Sequence, residues 1–237
     1  MIDPQSKAGN TAAELPSPLA ALRRFARPRA SGEACELCGL ALAPEHQHLL
    51  EVKGRQLRCC CDACAVLFPG HEGARFLRVP RRTVALDGFA LSDELWAGLR
   101  LPIDLAFIYH TGTPQRVAAV YPSPAGGTES LVEDESWQEV VRANPMLAGL
   151  EPEVETLLVN RVGSRREYYR APIDVCFHLV GVVRTSWRGL SGGAKVWSEI
   201  ERFFTDLRAR AAPAPLYRAN QARRAPSQGE PGGAADA

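Results

Sequence analysis

No stretch of this 237-residue chain is apolar for long enough to cross a bilayer. The best run, residues 173–183, is interrupted by Asp174 and His178 and falls well short of the roughly 20 residues a spanning helix needs. An apolar secretory stretch is also missing behind the polar start MIDPQSKAGN. Neither sign of charge is in excess: 28 Lys and Arg face 27 Asp and Glu, for a formal net charge of +1. That balance gives no general attraction to nucleic acid or to a membrane surface. Several catalytic signatures are lacking too: a Gly-x-Ser-x-Gly elbow, a His-Glu-x-x-His helix, a dinucleotide fingerprint, a phosphate-binding loop and the zinc-deaminase pattern. With 46% hydrophobic and 23% charged residues the composition is that of a globular protein rather than a disordered binder.

What the chain has is cysteine in an unusual distribution. Six of the seven lie between Cys35 and Cys64, and both the odd total and the clustering argue against a disulfide framework. A reduced, cytoplasmic setting is the expectation. Cys35 and Cys38 make one C-x2-C pair, and Cys61 and Cys64 make a second after 22 intervening residues. Two such pairs supply four thiolates to one tetrahedral ion, because the two-residue spacing lets a tight turn aim both sulfurs inward. Gly39 suits the left-handed backbone at the end of such a turn. Between the pairs, residues 46–52 and 55–60 read as hairpin arms about a Lys53-Gly54 turn. A helix should begin near Asp62, with that carboxylate available as its cap. Knuckle, hairpin and ligand-bearing helix start describe a treble-clef-like module. A rubredoxin-like double knuckle is the rival, although Ala65 stands where it would favour glycine. One zinc ion held by Cys35, Cys38, Cys61 and Cys64 is the expected cofactor, with iron as the alternative. Cys59 and Cys60 leave the register open, since they offer a replacement for Cys61, buried thiols or a redox function. His46 and His48 read as polar hairpin residues, with ligation as the sharper alternative.

The rest reads as α+β. Residues 1–30 form an expected flexible segment with a short helix over 19–25 and nearby arginines. The metal module covers 31–72, a mixed strand and helix domain covers 73–210, and a disordered tail covers 211–237. Short strands are expected over residues 76–79 and 83–86, and a helical turn capped by Ser92 follows. Residues 103–109 and 116–121 should form a hairpin around a loop that holds His110. YPSPAGGTES, residues 121–130, reads as a shaped loop with Thr128, Glu129 and Ser130 free to bind or to cap a helix. A helix from Asp134 or Ser136 should end at Asn144-Pro145, and a strand should cover residues 154–159. Glu151, Glu153 and Glu155 alternate as though on a solvated edge. Pro172 opens a helix carrying Ile173, Cys176, Phe177, Val180, Val183 and Trp187, with Gly189 as its stop. The last helix should run from Ser191 or Gly192-Gly193 to Arg210 with Val196, Trp197, Ile200, Phe203, Phe204 and Leu207 as its stripe.

These phrases together resemble the DUF5947 family of bacterial proteins over roughly residues 33–210. The likeness rests on CELCG with HQHLLE, on CDACAVLF, on YPSPAGGTES, on PIDVCF, and on WRGLSGG followed by VWSEIERFF. Members of that family occur beside genes for nickel–iron hydrogenases. The resemblance therefore implies an accessory role in hydrogenase assembly, maturation or electron transfer, with a hydrogenase subunit or maturation factor as the protein partner. It supplies no catalytic residues. Expected above all is a non-catalytic, zinc-stabilised scaffold with Trp137, Trp187 and Arg184 as candidate surface anchors. A rubredoxin-like electron carrier and an enzyme drawing on Glu129 and Asp174 are the alternatives.

Overall fold

The computed structural model describes residues 33–68, 73–112, 114–189 and 192–213. The helix expected over 19–25 and the tail from 214 onward lie outside them. Near the start, β1 (Gln47–Glu51) sits between β2 (Gln56–Cys60) and β3 (Phe76–Arg78) in a small antiparallel sheet. Successive strand residues face opposite ways, so this sheet has two distinct sides. Leu49 packs with Cys60 and Phe76 in a small core of its own, while Leu50, Leu57 and Leu77 turn toward the larger domain. Helix α1 (Asp62–Leu67) follows β2 directly. Cys61 is its N-cap in an extended conformation, so Asp62 adds favourable first-turn charge instead of the expected cap.

The larger sheet has seven strands in the order β10-β4-β9-β8-β5-β6-β7. These are β4 (Val84–Ala85), β5 (Leu105–Thr111), β6 (Arg116–Ser123), β7 (Gly126–Val132), β8 (Glu155–Asn160), β9 (Glu167–Pro172) and β10 (Ala212–Pro213). Every neighbouring pair is antiparallel except β10 with β4. Helices cover both faces. Ala106, Ile108, Leu157 and Val159 meet α2 (Asp93–Gly98), α3 (Asp134–Ala143) and a 3-10 turn (Pro145–Gly149) through Trp96, Trp137, Val140 and Leu147. Phe107, Tyr109, Leu158 and Tyr169 meet α4 (Ile173–Ser186) and α5 (Gly193–Arg210) through Leu179, Val183, Val196 and Phe204. Coverage on both sides explains why β5 is apolar from Leu105 to Tyr109 and why every residue of β8 is buried, rather than every second one. Ser92 caps α2 by accepting from the Leu95 N–H at 3.2 Å, as its position before the apolar turn suggests.

Several expectations are corrected here. YPSPAGGTES is a β-hairpin and not a loop: β6 runs through Pro122 to Ser123, and β7 returns from Gly126. Pro122 fits a strand because the ladder to β5 ends at Val120, so its missing N–H costs no bond there. A Cβ on Gly127 would lie 2.9 Å from Val120 Cγ1, and glycine permits that close approach. His110 is a strand residue of β5, outside the turn. Strand β9 was not anticipated at all, and Pro172 is its last residue and the N-cap of α4 rather than a residue inside the helix. Helix α4 stops at Ser186, short of Gly189. Glu155 does not line a solvated edge; it is buried and paired with Arg170. Trp137 is fully buried and Trp187 partly so, which removes Trp137 as a surface anchor; Arg184 is exposed.

The small module is fastened to the larger domain by apolar and polar contacts. Leu50 and Val79 are buried in the core beneath α4 and α5. Arg55 makes a forked pair with Glu129 on β7, at 3.0 and 3.3 Å, and lies over the Tyr109 ring. His48 Nδ1 is 2.7 Å from Asp174 Oδ2 in the first turn of α4.

Candidate metal centre

The first knuckle is built by backbone hydrogen bonds. Gly39 N–H donates to the Cys35 carbonyl at 2.7 Å, and Cys35 N–H donates to the Leu40 carbonyl at 2.7 Å. Gly39 has a φ of 78°, the left-handed value a side chain with Cβ resists. Glu36 joins this turn to β2: its N–H donates to the Cys59 carbonyl at 2.9 Å, and its carboxylate accepts from Cys59 N–H at 2.8 Å. That carboxylate also pairs with Arg58, and together these contacts hold it below the usual carboxylate range despite burial. The second pair lies at the start of α1, where Cys61 caps the helix and Cys64 sits one turn further on.

These two pieces bring Cys35, Cys38, Cys61 and Cys64 together, with all four sulfurs within 4.8 Å of one another. Sulfurs on the corners of a tetrahedron about 2.3 Å from one ion stand about 3.8 Å apart. Cys38 Sγ and Cys61 Sγ are 3.7 Å apart, and none of the seven cysteines is in a disulfide. The cluster is thus able to chelate a metal ion. Burial opposes charge on Cys35, yet backbone N–H groups of Cys61, Cys38 and Leu37 outweigh it and bring that thiol down to about 6. Burial and neighbouring sulfurs push Cys64 well up.

Strand alternation separates the three consecutive cysteines. Cys61 joins the cluster, and Cys60 is buried in the module's small core, where burial raises it to about 11. Cys59 pairs across from His48 and faces the opposite side, with His46. The signal that would have found this arrangement is the H-x-H alternation on an arm whose register sets Cys59 opposite the second histidine. Glu129 and Asp174, the candidates for an enzymatic site, are both engaged. Glu129 accepts from the Tyr109 hydroxyl at 3.0 Å and from Arg55, beside a cavity of about 230 Å³ that Arg55, Glu153 and Phe177 also line. Asp174 faces His48 and also accepts from the Val175 N–H at 2.7 Å in the first turn of α4. Cys176 is wholly buried, and that burial pushes its thiol up to about 12, as befits a core residue.

Among the described residues no helix is long and apolar enough to cross a membrane. No curated protein and no solved structure matches the chain. The model of a family of unknown function, DUF5947, matches residues 34–211. That span takes in the knuckle, the small sheet, the larger sheet except β10, and helices α1 to α5, and by it this chain belongs to the DUF5947 family.

Proposed function

We propose that the protein is a zinc-stabilised accessory factor in which a saturated thiolate cage fixes a docking surface for another protein. The observation that carries this reading is the convergence of four sulfurs at tetrahedral spacing. Four thiolates leave zinc no open position, which favours architecture over catalysis at this centre. A knuckle, a hairpin and a ligand at a helix start favour the treble-clef-like reading of the module over the rubredoxin-like one. Beside the cage, α1 and the residue after it expose Val66, Leu67 and Phe68, and Leu40 is exposed after the knuckle. Apolar side chains of this kind are what a protein partner would cover. The family resemblance points to a hydrogenase subunit or maturation factor as that partner.

Elemental analysis of untagged native protein, isolated together with whatever it binds, tests both parts. One zinc in the four-cysteine site and co-purification with a hydrogenase component are the expected results. A coloured protein carrying iron there would favour electron transfer. Failure of reciprocal pull-downs with every cognate hydrogenase component would reject the accessory role.

A further inference from the structure

The module has a second group of donors on its other face, and it is built differently. His46 and His48 are two residues apart on the arm of β1, so they point the same way, and β1–β2 pairing sets Cys59 opposite His48. One ring nitrogen from each histidine and the Cys59 sulfur lie within 4.8 Å of one another. Both rings already have a partner at Nδ1: His46 reaches the Ala43 carbonyl at 2.9 Å, and His48 reaches the Asp174 carboxylate at 2.7 Å. A proton on Nδ1 leaves each Nε2 as a lone pair. Histidines that ligate metals are oriented in this way, by a carbonyl or carboxylate behind the ring.

His46 Nε2 supplies the independent observation. It is buried without a hydrogen-bond partner among the described residues, on a side chain only 6% exposed. An unpaired buried acceptor is destabilising, and a bound cation would satisfy it. The nearest charged group is Glu33 Oε2 at 3.5 Å, on an exposed side chain, and it forms an ion pair only with a protonated ring. Cys59 is equally well placed, because Glu36 holds its backbone from both sides while its sulfur is not part of the four-cysteine cluster.

We propose that His46, His48 and Cys59 form a second metal site for a divalent late first-row cation, with zinc as the reference ion. Two imidazoles and one thiolate suit that class of ion. Three protein donors leave a fourth position for water or an outside ligand, the feature that separates reactive zinc from structural zinc. Asp174 belongs to α4, so the ion would also link the small module to the larger domain. Here Asp174 is a positioning residue: it orients His48 without touching the ion.

The experiment uses the full chain, reduced, stripped with a chelator, and dialysed against buffered zinc before metal is counted. Wild type should hold one zinc more per chain than the His46→Ala/Cys59→Ser variant, whatever the four-cysteine site holds. Cobalt added instead of zinc should give a single-thiolate charge-transfer band that the variant lacks. Asp174→Asn should keep the site but bind its zinc about 10–100-fold more weakly. The His46→Ala/Cys59→Ser variant keeps Cys35, Cys38, Cys61 and Cys64, so its own zinc count reports the four-cysteine site and failure of either centre is read separately. Equal zinc counts and equal cobalt spectra in wild type and variant, with native circular dichroism in both, would overturn the proposal and leave His46 as the partner of Glu33 alone. An Asp174→Asn protein with unchanged affinity would remove the positioning role.

Discussion

Withdrawing the ion from the four-cysteine cluster should unmake one end of the molecule and spare the other. The knuckle has little else to hold it: its core contributes Leu49 and Phe76 as fully apolar large side chains, about 3–6 kcal/mol together at about 1.5–3 kcal/mol each. Structural zinc contributes about 10–16 kcal/mol in small fingers, so the ion dominates. Cys38 is the exposed member of the set, and Cys38→Ser removes a ligand without opening a cavity. If the four ligands share the binding energy evenly, the loss is about 2.5–4 kcal/mol. Hydrogen exchange resolved along the chain is the assay. The Cys35 and Gly39 amides, bonded to the Leu40 and Cys35 carbonyls, should exchange on the order of 100-fold faster, since about 1.4 kcal/mol is tenfold. Amides of β5 and β8 should not change. Strand β1 should be intermediate, because Leu50 is anchored in the larger core. Knuckle amides that exchange at the wild-type rate after substitution or chelation would refute the reasoning.

Three further outcomes follow from other contacts. Glu129→Ala removes the acceptor of the buried Tyr109 hydroxyl along with the Arg55 pair; urea unfolding should show a loss of about 1–3 kcal/mol, nearly all from the hydroxyl. Trp137→Ala should cost about 3–5 kcal/mol by the same measurement, whereas Leu67→Ser, at an exposed position, should leave stability within about 0.5 kcal/mol and weaken partner capture. Burial lowers the folded-state pKa of His110 below 6.5, so the unfolded chain takes up that proton first. Stability should therefore fall as pH drops from about 6.5 through the lower folded value, and His110→Gln should flatten that part of the profile.

The cage was legible because its information is local. Two paired spacings specify where four sulfurs go, and Lys53-Gly54 places the turn that returns the second pair to the first. Helices α3 and α5 were equally readable from apolar steps of three and four, as in Val196, Ile200 and Phe203. Strand β9 was not, because Arg165, Arg166 and Glu167 give its approach the look of a polar loop; its identity comes from pairing along β8, from Asn160 with Glu167 to Glu155 with Pro172. YPSPAGGTES misled for a related reason. Proline and paired glycines ordinarily mark turns, and only the end of the β5 ladder shows why Pro122 is tolerated. The role of Cys59 depended on register, since a shift of one residue would have put Cys60 beside the histidines instead.

The tie between His48 and Asp174 also sets an order of events during synthesis. The cage closes within a span of about 30 residues, whereas this tie joins positions 126 apart. Closing the longer span costs about 1.3 kcal/mol more chain entropy, and its second half does not exist until residue 174 has been made. The four sulfurs can therefore meet while most of the larger sheet has yet to be synthesised. The side of the small module that carries Leu50 then waits, uncovered, for α4 to arrive beneath it.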